Sequence, residues 1–111
     1  MGLRDDESTR LTTLSPEKPL LEENLAPLRA ELDACLASGR MRVVLDLGGV
    51  QFIDSHGLEF LVDAARKLRA AGGRLKLANP NPLCSEILSA TRVDREVEVC
   101  FDLHQAGRSF R

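Results

Sequence analysis

Apolar residues along this chain alternate between short runs typical of buried strands and longer stretches with helical spacing. The run MRVVLDL at 41–47 is almost continuously apolar, which predicts a strand covered on both faces. After a glycine turn, apolar positions recur three and four residues apart, with charged residues between them. This spacing predicts an amphipathic helix over 55–71, with Asp54 as its N-cap and Gly72-Gly73 as its stop.

The rest of the chain repeats this alternation of strand and helix patterns. Further strands are predicted at 10–14, 74–78 and 96–101, and further helices at 21–39, at 82–92 and from Asp102 onward. Pro27 interrupts the first of these helices, so it marks either the true first turn, after an irregular approach at 24–26, or a kink. Near the carboxyl terminus, the pattern places Val97, Val99 and Phe101 on one strand face, and lets Leu103, Ala106 and Phe110 pack back on the sheet.

Such alternation predicts an α/β sandwich with right-handed crossovers between strands. In this architecture a functional site lies beyond the carboxyl ends of central strands, and the Asp54-Ser55 turn occupies such a place. Residues 1–9 (MGLRDDEST) are polar and charged, so we expect a frayed or disordered N-terminus there. The remaining residues, 10–111, are expected to form a single domain.

Composition excludes several classes of protein. Of the 111 residues, 43% are hydrophobic and 29% are charged, which is normal for a globular domain. No apolar run approaches the roughly 20 residues of a membrane span, and the first residues lack a secretory pattern, so we expect a cytoplasmic protein without membrane insertion. A net charge of -2, no long basic run and no Trp or Tyr argue against direct binding of nucleic acid.

The residues that usually carry chemistry do not combine into an enzyme site. Three cysteines, Cys35, Cys84 and Cys100, are widely spaced without a C-x-x-C pair, so we expect buried or semi-buried thiols rather than a disulfide or zinc site. Ser55 and His56 are adjacent, and on a helix their side chains diverge by about 100 degrees, too far for a nucleophile-base pair. We therefore expect no catalytic residues, no metal and no cofactor.

Ser55 is the strongest candidate for a site. It falls in the first turn of the predicted helix, where backbone amides and the helix dipole favour negative charge, so the fold would tolerate a phosphate there. Gly57 costs about 1 kcal/mol against alanine inside a helix, which suggests that something approaches its backbone closely. The ordinary alternative is that Asp54 and Ser55 are a capping pair and nothing more.

The core of the chain resembles a STAS domain, the fold of bacterial anti-sigma factor antagonists. The motifs that carry the resemblance are V-L-D-L before a short loop, F-I-D-S-x-G-L opening the helix, G-G-x-L-x-L after it, and the helix after N-P. It runs from about Leu20 to Phe110 and implies an α/β, STAS-like fold with a central mixed sheet of about four strands and about four helices. Family members usually begin with two strands and a Gly-Leu-Asp turn, so the N-terminal strand region is shortened here. An uncovered sheet edge would invite pairing with another chain and hence a homo-oligomer.

The resemblance implies a partner-switching protein. In that family, the serine directly after the motif aspartate is phosphorylated by an anti-sigma factor that is also a serine kinase, and here that serine is Ser55. The unphosphorylated antagonist binds the anti-sigma factor and releases sigma, whereas the phosphorylated form lets go. The implied partner-binding residues are Asp54, which shapes the loop, Ser55, His56, Gly57, which lets the partner approach, and Leu58, which supplies contact.

One departure from the family pattern and two alternatives stay open. His56 replaces what is commonly a second small hydroxyl residue; its ring would clash with a kinase cleft, make binding pH-sensitive, or simply be exposed. The chain could instead be a non-switching interaction subunit of a stressosome-like or membrane lipid-transport complex. A third class is a small-ligand-sensing STAS module, for which the sequence shows no convergent polar pocket.

Overall fold

The computed structural model describes residues 11–108 and 110. Its strands are β1 (Thr12–Leu14), β2 (Arg42–Asp46), β3 (Arg74–Ala78) and β4 (Glu98–Cys100), and they form one sheet in the sequential order β1-β2-β3-β4. Its α-helices are α1 (Leu25–Ala37), α2 (Ser55–Ala70), α3 (Pro82–Ala90) and α4 (Leu103–Arg108), with 3-10 turns at Glu22–Asn24 and Val93–Arg95. The frayed terminus predicted for residues 1–9 lies outside the described residues.

Each pair of neighbouring strands is parallel, which corrects the expectation of a mixed sheet. The physical reason is that a helix follows each of the first three strands and carries the chain back, so the next strand starts from the same end of the sheet. The carboxyl ends of the four strands therefore meet along one edge. We call this the carboxyl edge; it consists of the segments 15–24, 47–54, 79–81 and 101–102, which follow the strands.

The two faces of the sheet are covered unequally. Helices α1, α2 and α3 all pack on one face and form the main core there, as same-handed crossovers in a sheet of sequential order require. The short helix α4 lies on the other face, where Ala106 is buried against Val44, Ala78 and Cys100. None of the helices described here is both long and apolar enough to cross a membrane. The sheet is thus fixed chiefly from one side, and its carboxyl edge carries the loops.

Helix α2 agrees closely with its prediction, because its boundaries depend on local signals. It runs from Ser55 to Ala70, and Gly72 adopts a left-handed φ of 91° just beyond its end. The ambiguity at Pro27 is also decided: Pro27 lies in the first turn of α1, directly after the 3-10 turn, and the helix continues to Ala37. A proline in the first turn removes an amide that would have had no helical partner.

The prediction that Phe101 and Leu103 face inward is wrong. Strand β4 ends at Cys100, and Phe101 is 87% exposed while Leu103 is 41% exposed. The chain leaves the ladder here because Asp102 caps α4, its Oδ1 accepting from the amide of Gln105 at 2.7 Å, while the Phe101 amide donates to the Gln105 side chain at 2.8 Å. A turn therefore places Phe101 outside the sheet.

Lys76 is buried in the middle of β3, on the face opposite to Leu75 and Leu77. Its Nζ lies 3.2 Å from Oε1 of Glu98 on the neighbouring strand and 4.4 Å from the centre of the Phe110 ring. A buried ammonium group needs such partners, because its charge is costly to remove from water. The residues around α4 thus cover the second face of the sheet partly through the contact of Phe110 with Lys76.

Candidate functional site

Ser55 is the first residue of α2 and is exposed directly after the segment 47–54 of the carboxyl edge. Asp54 precedes it in extended conformation, and its Oδ1 accepts a hydrogen bond from the Gly57 amide at 2.8 Å. The Asp54 carbonyl accepts from the Leu58 amide at 2.9 Å, which is the first bond of the helix. This geometry confirms Asp54 as the N-cap and holds Ser55 at the tip of a rigid strand-to-helix connection.

The charge of Asp54 is stabilised by the helix that it caps. The hydrogen bond from the Gly57 amide is the main cause that lowers the pKa of Asp54; partial desolvation opposes it, and the electrostatic interaction with His56 lowers the pKa further. A carboxylate at this position remains ionised at neutral pH, and its negative charge interacts favourably with the positive end of the helix dipole. Ser55 therefore sits directly beside a fixed negative charge.

We expect the N-cap charge to make stability depend on pH. Because the pKa of Asp54 is lowered in the folded state, its contribution is fully present above the ordinary carboxyl pKa of about 4 and is lost as the pH falls through the lowered value. Asp54→Asn keeps an oxygen that can accept from the Gly57 amide but has no charge. Thermal unfolding from neutral to acid pH should show the wild type more stable at pH 7 and the difference closing in acid. A difference that did not change with pH would show that the charge contributes nothing.

The Gly57 backbone is approached closely, and the group that approaches it is Leu20 of the same chain. A Cβ at Gly57 would lie 2.3 Å from the Leu20 carbonyl oxygen and 2.9 Å from Cγ2 of Ile53. Leu20 is held there because its amide donates to the Phe52 carbonyl at 2.9 Å and its carbonyl accepts from the Asp54 amide at 3.1 Å. Leu20 of the same chain thus accounts for a close approach to Gly57, and glycine at this position leaves room for Leu20 to pack against the start of α2.

His56 contacts the 3-10 turn that precedes α1. Its Nε2 lies 3.3 Å from Oε1 of Glu22, and its Nδ1 lies 3.8 Å from Oδ2 of Asp54. The ring is about half exposed and Glu22 more so, which makes this a surface contact of small energy. Each ring nitrogen of His56 thus has one carboxylate nearby.

Two further residues complete the surface around Ser55. Leu58 is partly buried and packs against the main core, so only part of its side chain is available to another molecule. Phe52 is 43% exposed just before the site, although its apolar neighbours are buried. Sequence reasoning passed over Phe52 because one apolar residue in a short apolar step gives no sign of which way it faces. Glu22 carries no sequence signal at all, since only the fold brings it to His56.

The described residues do not form a cluster of metal ligands around Ser55. Within residues 11–108 and 110, no three His, Cys, Asp or Glu side chains come together as a potential metal site. The three cysteines are buried, as predicted, and burial raises the pKa of the Cys35 and Cys84 thiols. An open groove of about 310 Å³ lies between the segment after β1 and the start of α1, and it includes the exposed charges of Glu17, Lys18 and Glu31.

Comparisons with known proteins agree on one family. A model of the STAS domain matches residues 3–106. A Thermotoga maritima protein, provisionally named an anti-sigma factor antagonist, is 30% identical over 99 residues, which is 88% of each chain. A crystal structure of a Thermotoga maritima protein with that provisional name has a TM-score of 0.84 at 29% identity and covers 91% of this chain and 87% of that one.

The likeness of fold extends to the protein SpoIIAA. Its structure as an anti-sigma factor antagonist in the unphosphorylated form has a TM-score of 0.73 at 18% identity. Its structure as a Bacillus cell fate determinant in the phosphorylated form has a TM-score of 0.64 at 20% identity. Both cover 91% of this chain and 89% of the other.

Proposed function

The chain belongs to the STAS domain family, and from this premise we propose that it is an anti-sigma factor antagonist switched off by phosphorylation at Ser55. Its partner is an anti-sigma factor with serine kinase activity, and the chain acts by binding that partner rather than as an enzyme. Relatives in this family carry the name anti-sigma factor antagonist, one of them 30% identical over most of both chains. SpoIIAA, which shares the fold, has been characterised in a phosphorylated form.

The observation that carries the proposal is the exposed position of Ser55 at the start of α2, directly after the aspartate that caps this helix. A kinase needs a hydroxyl that it can reach without unfolding its substrate, and this residue is accessible on a rigid element. The amino-terminal end of a helix also tolerates a phosphate, because its free amides and dipole favour negative charge. Phosphorylation can therefore change the surface while the helix remains folded.

Electrostatics explains how the modification would release the partner. A phosphoryl group adds about -1.5 to -2 charges at neutral pH beside the carboxylate of Asp54. In a complex with a kinase, Ser55 faces the phosphates of the bound nucleotide, so phosphoserine would meet like charges across the interface. The phosphate also enlarges a side chain at the centre of a close contact. Both effects act locally and need no refolding.

Phosphosite mapping of the protein purified from its native cells, before and after phosphatase treatment, tests the proposal. We expect a single phosphate on Ser55, absent from a Ser55→Ala variant expressed in the same cells. Ser85→Ala is a matched control, because Ser85 is also exposed near the start of a helix, α3. Should Ser55 stay unmodified through growth and stress while a stable complex persists, the chain is a non-switching interaction subunit instead.

A further inference from the structure

Exposed large hydrophobic residues concentrate at one edge of the molecule. Among residues 11–108 and 110 there are five, and four of them lie within the carboxyl edge or no more than two residues after it. We call these four the apolar rim: Phe52, Leu83, Phe101 and Leu103. The fifth, Leu11, precedes β1 and thus lies at the opposite end of the sheet. Single exposed hydrophobic residues are ordinary on a protein surface, but a group at one edge is not.

Backbone and side-chain hydrogen bonds align the loops that carry the rim. The Leu47 amide donates to the Ala78 carbonyl at 2.8 Å, and the Asn79 amide donates to the Cys100 carbonyl at 3.1 Å, so three loops leave the sheet at the same level. The Asn81 side chain also donates to the Val50 carbonyl at 3.3 Å. Since neighbouring strands are about 4.8 Å apart, the end of β4 lies about 10 Å from the end of β2. The rim therefore runs sideways from the loop that carries Ser55.

The opposite flank of Ser55 has a different character. On the side of β1, the exposed residues include Glu17, Lys18, Glu22 and Glu23. Ser55 thus lies between a charged flank and an apolar rim. A partner that covers both sides would gain orientation from the charges and most of its binding energy from the apolar contacts.

We propose that the apolar rim is the second half of the docking surface for the anti-sigma factor kinase, which seats an apolar patch on Phe52, Leu83 and Phe101 while it reaches Ser55. This inference rests on the proposed function. A standard protein interface covers about 800 Å² on each partner, equivalent to a patch about 30 Å across. The ends of β2 and β4 are only about 10 Å apart, so a patch of that size around the loop that carries Ser55 extends over the neighbouring loops as well. The most exposed ring, Phe101, is an aromatic residue of the kind that dominates interfaces.

The rim should contribute to binding and not to phosphoryl transfer itself, because it lies beside the reacting hydroxyl rather than on it. Phe101→Ser and Leu83→Ser remove apolar surface at exposed positions, so both variants should fold with unchanged thermal unfolding. With the purified kinase, we expect each to weaken the unphosphorylated complex about tenfold by calorimetry, and to raise KM for phosphorylation of Ser55 without lowering kcat. Leu11→Ser is the matched control and should bind within about twofold of the wild type.

The outcomes separate this inference from the proposed function. If the kinase phosphorylates wild-type Ser55 but binds both rim variants as tightly as the wild type, the rim inference fails and the proposed function stands. If the wild type neither binds the kinase nor accepts phosphate, both fail together. Light scattering adds a third arm: a wild-type dimer that Phe101→Ser converts to monomer would show that the rim holds a second copy of this chain, which also overturns the proposal.

Discussion

Ser55→Asp is expected to weaken the complex with the anti-sigma factor kinase by at least about a hundredfold, since like charges brought together across an interface cost several kcal/mol. The new carboxylate would lie beside Asp54 and face the nucleotide phosphates of the partner. The variant should nevertheless keep its fold, because a negative charge in the first turn of a helix is favourable. Surface plasmon resonance with immobilised kinase measures the loss, and thermal unfolding checks the fold.

The matched control is Ser89→Asp, which introduces the same charge at an exposed serine in the last turn of α3. It lies at the opposite end of the sheet from the carboxyl edge, so we expect binding within about threefold of the wild type, with at most a small loss of stability from its unfavourable place at a helix end. Equal affinities for wild type and Ser55→Asp would remove the phosphorylation switch and favour a fixed interaction subunit.

Gly57→Ala is expected to lower the free energy of unfolding by about 3 kcal/mol, the scale of severe overpacking in a core. Helix propensity alone predicts the opposite, a gain of about 1 kcal/mol. The structure decides between them, because the added methyl group would lie 2.3 Å from the Leu20 carbonyl oxygen and 2.8 Å from the Leu20 Cβ. The Leu20 backbone cannot move away at low energetic cost, because its amide and its carbonyl both form hydrogen bonds with the segment 52–54.

Urea denaturation provides the measurement, with Gly107→Ala in α4 as the control. Among the described residues, a Cβ at Gly107 would meet only the flexible end of Leu11, at 3.1 Å, so helix propensity should dominate and stability should stay level or rise. If Gly57→Ala were the more stable protein, the packing of Leu20 beneath the site would not exist in solution. Both variants replace a helical glycine by alanine, but only Gly57→Ala is expected to lower the free energy of unfolding.

Local signals made helix α2 and its cap predictable. An N-cap needs only a polar side chain three residues before the amide from which it accepts a hydrogen bond, and a helix stop needs only a glycine that follows. Asp54 and Gly72 could therefore be assigned from the sequence. The alternation of strands with helices likewise predicted the crossovers. The same alternation also implies that all four strands are parallel, as observed, so the expectation of a mixed sheet was inconsistent with it.

Contacts between distant segments were not predictable. Leu20 shares no local pattern with Gly57, yet it explains why that position holds glycine. Strand periodicity assigns Lys76 a face but cannot tell that α4 and Phe110 cover it. Phe101 continued an alternating pattern, and only the capping of α4 by Asp102 takes it out of the strand. In each case the deciding partner is provided by tertiary structure.

The pairing of Leu20 with the segment 52–54 also concerns how the chain folds. Residues far apart in sequence must meet before the backbone ahead of Ser55 acquires its hydrogen bonds, and contacts of this kind carry the entropy cost of closing a long loop. A nascent or partly unfolded chain therefore lacks the assembled serine turn. The surface that a kinase would recognise exists only after Leu20 has paired with the segment 52–54. The chain therefore becomes a substrate only once this part of its fold is complete.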